Sequence, residues 1–200
     1  MTDSELIAKF LNGNIEAFNT LVWRWEKGLY NFVLRYIGDR ETAKDVCQKS
    51  FIRAYQNLHR LRELERFSTW LYQIAVNVCR DELKAQRRRK MISLNNLEER
   101  GNGAEAGVLQ HLDDAQPHPE SQANQRDLRE LLAQALQEVP EEQRVVIIMK
   151  EYQGLKFTEI AEILETSVNT VKSRMYYGLT ALRKVFKQWK IYEEMLKYEM

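Results

Sequence analysis

The sequence predicts an all-α protein in two domains, and three observations carry that reading. Apolar residues recur at three- and four-residue spacing through nearly every stretch outside one polar segment. Eight glycines and three prolines in 200 residues are too few for the turns of a β-rich fold. The polar segment, residues 95–124, loses the apolar rhythm and holds two helix-breaking clusters, Gly101-Asn102-Gly103 and Pro117-His118-Pro119. It separates a helical bundle over residues 1–94 from a second helical domain over residues 125–200. Hydrophobic residues make up 44% of the chain, enough to bury a core.

In the first domain, Asp3 or Ser4 can cap a short helix carrying Leu6, Ile7, Phe10 and Leu11, which stops near Asn12-Gly13-Asn14. Phe18, Leu21, Val22, Trp25, Leu29, Phe32, Val33 and Tyr36 keep helical spacing through a long second helix. Gly38-Asp39 ends it and caps a third, where Ala43, Val46, Cys47, Phe51, Ala54 and Leu58 face inward. After a charged stretch, Ser68 is the expected cap of a fourth helix with Leu71, Ile74, Ala75 and Val78 buried. Four helices with short connections predict a compact antiparallel bundle.

The connector carries Glu98, Glu99, Glu105, Asp113, Asp114 and Glu120 against Arg100 alone, with an expected transient helix around Val108 to Leu112. Thirty residues stretch to ~100 Å at most and average ~30 Å as a coil, enough to let the two domains engage sites some tens of ångströms apart. Helical pattern returns at Leu128, Leu131, Leu132, Ala135 and Leu136. Pro140 starts another helix, with Glu141 and Glu142 suited to its positive end and Val145, Ile148 and Met149 inward.

From Gly154 to Leu182 the chain reads as two helices joined by a tight turn at Glu165-Thr166-Ser167. Phe157, Ile160, Ala161 and Leu164 space the first helix. Ser167 is the expected N-cap of the second, whose stripe is Val168, Val171, Met175, Leu179 and Leu182. The other face offers Asn169, Ser173, Tyr176, Tyr177 and Thr180, with Lys172 and Arg174 on its shoulders. Short polar groups, aromatics and cations near a helix start suit the major groove, so this is a helix-turn-helix with the second helix as reader. A helical hairpin with a solvated face is the competing reading. No acid occurs from Thr166 to Ile191 while six Lys and Arg do, which favours the groove.

The net charge of +1 hides segregation. Arg80, Lys84, Arg87, Arg88, Arg89 and Lys90 cluster against Asp81 and Glu82. Two basic surfaces flanking an acidic connector suggest a polyanion gripped at two places. Cys47 and Cys79 read as buried thiols, and His59, His111 and His118 are scattered, so no metal or other cofactor is expected. No apolar run is long enough to span a bilayer and the start does not read as a signal peptide, so a cytoplasmic protein without membrane insertion is expected. No nucleophile–base pair or glycine-rich phosphate loop marks an enzyme.

AKDVCQKSFIRAYQNL (Ala43 to Leu58), RFSTWLYQIAVNVCRDELKAQRRR (Arg66 to Arg89) and QGLKFTEIAEILETSVNTVKSRMYYGLTALRK (Gln153 to Lys184) together resemble extracytoplasmic-function (ECF) sigma factors. The resemblance spans nearly the whole chain in the right order. It implies a region-2 helical domain and a region-4 helix-turn-helix domain joined by a flexible linker. It also implies core RNA polymerase, promoter DNA and an anti-sigma factor as partners.

The third helix resembles the docking surface for polymerase, implying Asp45, Gln48, Lys49 and Arg53 as contacts. The following loop and helix resemble the part that captures the minus-10 element. Arg60, Arg62 and Arg66 in the loop, with Asn77, Arg80, Lys84, Arg87 and Arg88 along the helix, are then the candidates. Trp70 at the start of that helix is read as core rather than as a stacking platform. Lys172, Ser173, Arg174, Tyr176 and Tyr177, with Asn169, are implied for the minus-35 element, and the family often carries Arg where this chain has Tyr177.

KVFKQWKIYEEMLKYEM extends the last helix beyond most members, with Val185, Phe186, Trp189, Tyr192 and Leu196 continuing the stripe. Packing against its own domain is expected; a surface for an anti-sigma factor or for the N-terminal domain competes. The rivals to the whole reading are a helix-turn-helix regulator that binds duplex DNA without polymerase and a helical adaptor whose basic patches are incidental.

Overall fold

The computed structural model describes residues 1–98 and 119–189, with side chains over 1–92 and 128–189. The described residues form α1 (Asp3–Leu11), α2 (Ile15–Ile37), α3 (Arg40–Asn57), α4 (Phe67–Glu98), α5 (Pro119–Glu138), α6 (Glu141–Ile147), α7 (Phe157–Ile163) and α8 (Val168–Gln188), and no strand. They divide into two units. One comprises Met1–Val33 with Asp39 to the end of α4, and the other α5 to α8 with Leu34–Gly38.

In the first unit, the cap of α1 is Thr2 rather than Asp3 or Ser4. Thr2 Oγ1 accepts from Glu5 N at 3.2 Å while Glu5 Oε2 accepts from Thr2 N at 2.8 Å, a reciprocal capping box. Asp3 is thereby released to hold α2, where it takes the Arg24 guanidinium and the Trp25 indole N–H (3.0 Å). α1 closes on Gly13 at φ +96°, with Gly13 N donating to Phe10 O and Asn14 N to Lys9 O, a Schellman ending. Six of the expected α2 positions are buried, from Phe18 to Tyr36, while Val22 and Trp25 are half-buried.

The α3 stripe is buried throughout, with Leu58 in the 3-10 turn Leu58–Arg60 that follows. Asp39 caps α3, its Oδ1 accepting from Thr42 N at 2.8 Å. The hydrogen bonds from Thr42 hold this carboxyl below its ordinary value of 3.8. Because the folded value is depressed, the cap stabilises above the unfolded value and is lost as pH falls through the folded one. α4 begins at Phe67, one residue before the expected cap Ser68. The 3-10 turn Leu64–Arg66 runs straight into it, Phe67 N donating to Leu64 O. Leu71, Ala75 and Val78 are buried as expected; Ile74 is half-buried. The helix outlasts its apolar rhythm and ends at Glu98 rather than near Ser93.

In the second unit α5 starts at Pro119, where the missing N–H costs no hydrogen bond, well before the apolar pattern resumes at Leu128. The turn of helix expected around Val108 to Leu112 lies outside the described residues. α6 is buried on all sides from Arg144 to Met149 and continues into a π-helical turn, Ile148–Tyr152. α7 ends with a second Schellman pair: Glu165 N donates to Glu162 O (3.2 Å) and Thr166 N to Ala161 O (2.9 Å). Here the left-handed position belongs to Glu165, at φ 52°, instead of glycine.

An L residue in that conformation costs about 1–2 kcal/mol, and a β-branched one more. Glu165→Ile is therefore expected to lower the unfolding midpoint of the chain by several degrees, while Glu165→Gly leaves it unchanged or raises it. Thermal unfolding followed by circular dichroism checks the order.

Candidate nucleic-acid and partner surfaces

The helix-turn-helix is built from α7, the Glu165 turn and α8. Ser167 Oγ accepts from Thr170 N at 3.0 Å, as its position predicts, and starts α8 cleanly. Val171, Met175, Gly178 and Val185 form its buried strip. Gly178, not Leu179, completes that strip; Leu179 is 46% exposed. A Cβ at 178 would stand 2.9 Å from Ile147 Cδ1 and 3.2 Å from Gln143 Cβ, so α6 approaches α8 closely enough that a side chain there fits only if Ile147 gives way. Val185 is buried and Phe186 half-buried, Trp189 is exposed, and Tyr192 and Leu196 lie outside the described residues.

Away from α6, Asn169, Lys172, Ser173, Tyr176, Tyr177 and Thr180 are all exposed. At about 100° per residue they fall within an arc of about 140°. Tyr176 and Tyr177 meet edge-to-face with ring centroids 5.5 Å apart, which stiffens two large rings in solvent. Arg174 stands apart from the other predicted readers: its side chain is 22% exposed and its Nη2 lies 2.5 Å from Glu142 Oε2.

In the first unit, Asn77, Arg80, Lys84, Arg87 and Arg88 share one face of α4, within about 100° of arc. All but the half-buried Arg80 are exposed. Asn77 also walls a cleft of about 260 Å³ with Arg53, Asn57, Arg60, Trp70 and Ile74. That is just under the ~300–1,000 Å³ of drug-sized sites, room for one planar ring rather than a chain. Trp70 is half-buried and forms part of this wall, so it is not wholly core as expected. Arg62 and Arg66 are exposed outside the cleft, and Arg66 Nε lies 3.3 Å from Glu63 Oε2.

Asp45, Gln48, Lys49 and Arg53 are exposed together on α3. Two of them are already engaged: Lys49 Nζ lies 3.7 Å from Glu82 Oε2, and Arg53 3.4 Å from Asp81. Glu82 Oε1 also takes Arg89 Nη2 at 2.6 Å, so the acids of α4 tie α3 to the basic end of α4.

Sequence reasoning missed the neighbouring groove between α2 and α3, about 800 Å³ and largely apolar, whose walls include Phe18, Trp23, Phe51, Ile52 and Tyr55. Trp23 is 81% exposed and Ile52 49%. The signal was a tryptophan off the apolar stripe of an amphipathic helix. Cys47 also borders it; burial pushes its thiol up to about 12, so it stays neutral. Among the described residues no cluster of His, Cys, Asp and Glu could hold a metal ion, and no helix is long and apolar enough to cross a membrane.

One unit thus presents a basic helix beside a ring-sized cleft, and the other a helix-turn-helix with an exposed polar and basic arc. Residues 21–89 match Sigma-70 region 2, and residues 129–182 match Sigma-70, region 4. The chain is 35% identical over 91% of its length to the ECF RNA polymerase sigma-E factor of Salmonella typhimurium strain LT2, covering 93% of that protein. It is 34% identical, with the same coverage, to the ECF RNA polymerase sigma-E factor of Escherichia coli strain K12. In fold it resembles CnrH, solved with the cytosolic domain of CnrY (TM-score 0.64, 23% identity, 93% of this chain and 97% of that one). It also resembles the sigma factor RpoE of Bartonella quintana, solved with the anti-sigma factor NepR (TM-score 0.60, 18% identity, 86% and 98%). The chain belongs to the ECF family of RNA polymerase sigma factors. It is a promoter-recognising initiation factor, not an enzyme, and the polymerase-independent regulator is disfavoured.

The α6–α8 contact makes Gly178 sensitive to size. Gly178→Ala gains about 1 kcal/mol of helix propensity and meets mainly the rotatable end of Ile147, so its unfolding midpoint should stay close to the parent's. Gly178→Leu overpacks the contact at a cost of about 1–3 kcal/mol and should lower the midpoint measurably in the same thermal scan.

Proposed function

We propose that the two units divide promoter recognition, with residues 1–94 taking the minus-10 element, residues 125–200 the minus-35 element and residues 95–124 tethering them. The carrying observation is the concentration of exposed Asn169, Lys172, Ser173, Tyr176 and Tyr177 on one arc of α8, opposite a face held by α6. Such an arc enters a major groove while its buried strip stays dry. Tyr177 offers ring surface to a thymine methyl where an arginine would select guanine, shifting preference at that base step.

At the minus-10 element, the cleft of Asn77, Arg60 and Trp70 holds one unstacked base, with Asn77 offering amide groups to its edge. Arg62 and Arg66 in the loop, and Arg80, Lys84, Arg87 and Arg88 along α4, follow the strand's phosphates. Separating DNA costs about 1.4 kcal/mol per base-pair step, so one captured base offsets only a short bubble. Core polymerase supplies the rest, docking on Asp45, Gln48, Lys49 and Arg53 of α3. The α2–α3 groove extends that surface, with Trp23 and Ile52 as its apolar anchors. Competition for this surface is how an anti-sigma factor would silence the chain, which acts in the cytoplasm where polymerase works.

Reconstitution with core polymerase and run-off transcription from a promoter library tests the proposal. Start-site-selective synthesis is expected; tight binding to intact duplex by the chain alone, without selective synthesis, would overturn it. Trp23→Ala should weaken polymerase binding by about 2 kcal/mol, roughly thirty-fold, in a fluorescence titration. Lys172→Ala should lessen the slope of log affinity against log salt by about 0.9, the signature of one lost phosphate contact.

A further inference from the structure

Arg174 occupies the basic reading helix, yet its geometry is that of a strut rather than a reader. Taking α8 at about 100° per residue, Arg174 lies about 130° round from the centre of the exposed arc, next to the buried positions Gly178 and Val185. Its side chain is 22% exposed, and the acid it meets, Glu142, is 71% exposed. Glu142 sits in the first turn of α6, adjacent to Gln143 and five residues before Ile147, the two residues that close on Gly178. α6 and α8 are therefore joined at two neighbouring levels: an apolar contact at Gly178, which sets their separation, and an ion pair at Arg174, which opposes rotation of α8 about its axis. A close glycine contact is smooth and by itself resists such rotation little, and a turn of even ten or twenty degrees would carry Tyr177 and Asn169 off their base edges.

We propose that Arg174 does not touch promoter DNA but is a positioning residue, which with Glu142 fixes the rotational setting of the reading helix on α6. This rests on the assignment of α8 to the minus-35 element. A guanidinium serves here because its planar fork holds a carboxylate in a defined direction, whereas an ammonium acts as a point charge. Glu142, far from the reading arc in sequence, becomes a determinant of promoter recognition without contacting it.

The test uses full-length chain assembled with core polymerase. Arg174→Glu, Glu142→Arg, the double exchange and Arg174→Lys are compared with the parent for promoter affinity, for discrimination between the preferred and an altered minus-35 sequence, and for salt dependence. Thermal unfolding of each confirms that it folds. Each single reversal is expected to lose ten-fold or more in discrimination. The double exchange should recover it to within about three-fold, with the parent's salt slope, and Arg174→Lys should fall between parent and Arg174→Glu. The proposal is overturned if Glu142→Arg discriminates like the parent, if the folded double exchange is no better than Arg174→Glu, or if Arg174→Lys behaves as the parent while Arg174→Glu flattens the salt slope by about 0.9, marking a phosphate contact. Lys172→Ala serves as the control: if it too leaves affinity and slope unchanged, the minus-35 assignment of α8 fails, a result separable from failure of the strut.

Discussion

A helix that reads DNA has to keep one side bare, so it must be gripped by what remains. In α8 that remainder is a strip of Val171, Met175, Gly178 and Val185. Burying a Val or Met side chain contributes about 1.5–3 kcal/mol, so the strip is enough to seat the helix but leaves little surplus. Gly178 adds nothing to that sum and yet shapes it most, because by having no side chain it lets Ile147 and Gln143 reach the backbone. The burial of α6 beyond its first turn, from Arg144 onward, follows: a helix that supports its neighbours from the middle of a small unit has little face left for water there.

The same division of surface governs α4. Leu71, Ala75, Val78 and Cys79 are buried against the rest of the unit, and the opposite side carries the cations. Asp81 and Glu82 interrupt the basic run but do not simply cancel it, since they face Arg53, Lys49 and Arg89. The exposed Arg53–Asp81 pair contributes little to stability, about 0–1 kcal/mol. The effect of these acids is one of placement: they set the cations of α3 and the end of α4 in register as one connected array.

The helices were legible because an amphipathic stripe is a one-dimensional signal, and the stripes of α2 and α3 emerged buried nearly position for position. What the stripe cannot carry is the identity of the neighbour. Leu179 was expected inside on spacing alone, and the approach of Ile147 gave the place to Gly178. Thr2 displaced Asp3 as a cap because Asp3 found Arg24 and Trp25, more than twenty residues away in the chain. Arg174 looked like the other readers because composition marks a basic helix, whereas its pairing with Glu142 depends on which helix lies beside it. The α2–α3 groove was hidden for a similar reason: Trp23 is off the stripe of its own helix, and only α3 alongside makes it one wall of a depression.

Weakness in each surface is part of how selection works. A bidentate side-chain contact separates right from wrong base by about 1–3 kcal/mol, and a single ring-sized cleft offsets only a few base-pair steps of opening. Strengthening either surface until it held DNA unaided would retain wrong sites along with right ones, since most of the added affinity would go to phosphates, which carry no sequence information. Tethering avoids this. Joining two modest sites raises the local concentration of the second to about the millimolar range when the tether spans the gap, and can add 10²–10⁴ in avidity without any new contact. The gain is realised only where both elements lie at the right separation, so spacing becomes part of the code. Discrimination then depends less on the strength of any one contact than on how rigidly each helix presents its readers, which is why the strip beneath α8 and the strut beside it bear on promoter choice as directly as the residues that face the groove.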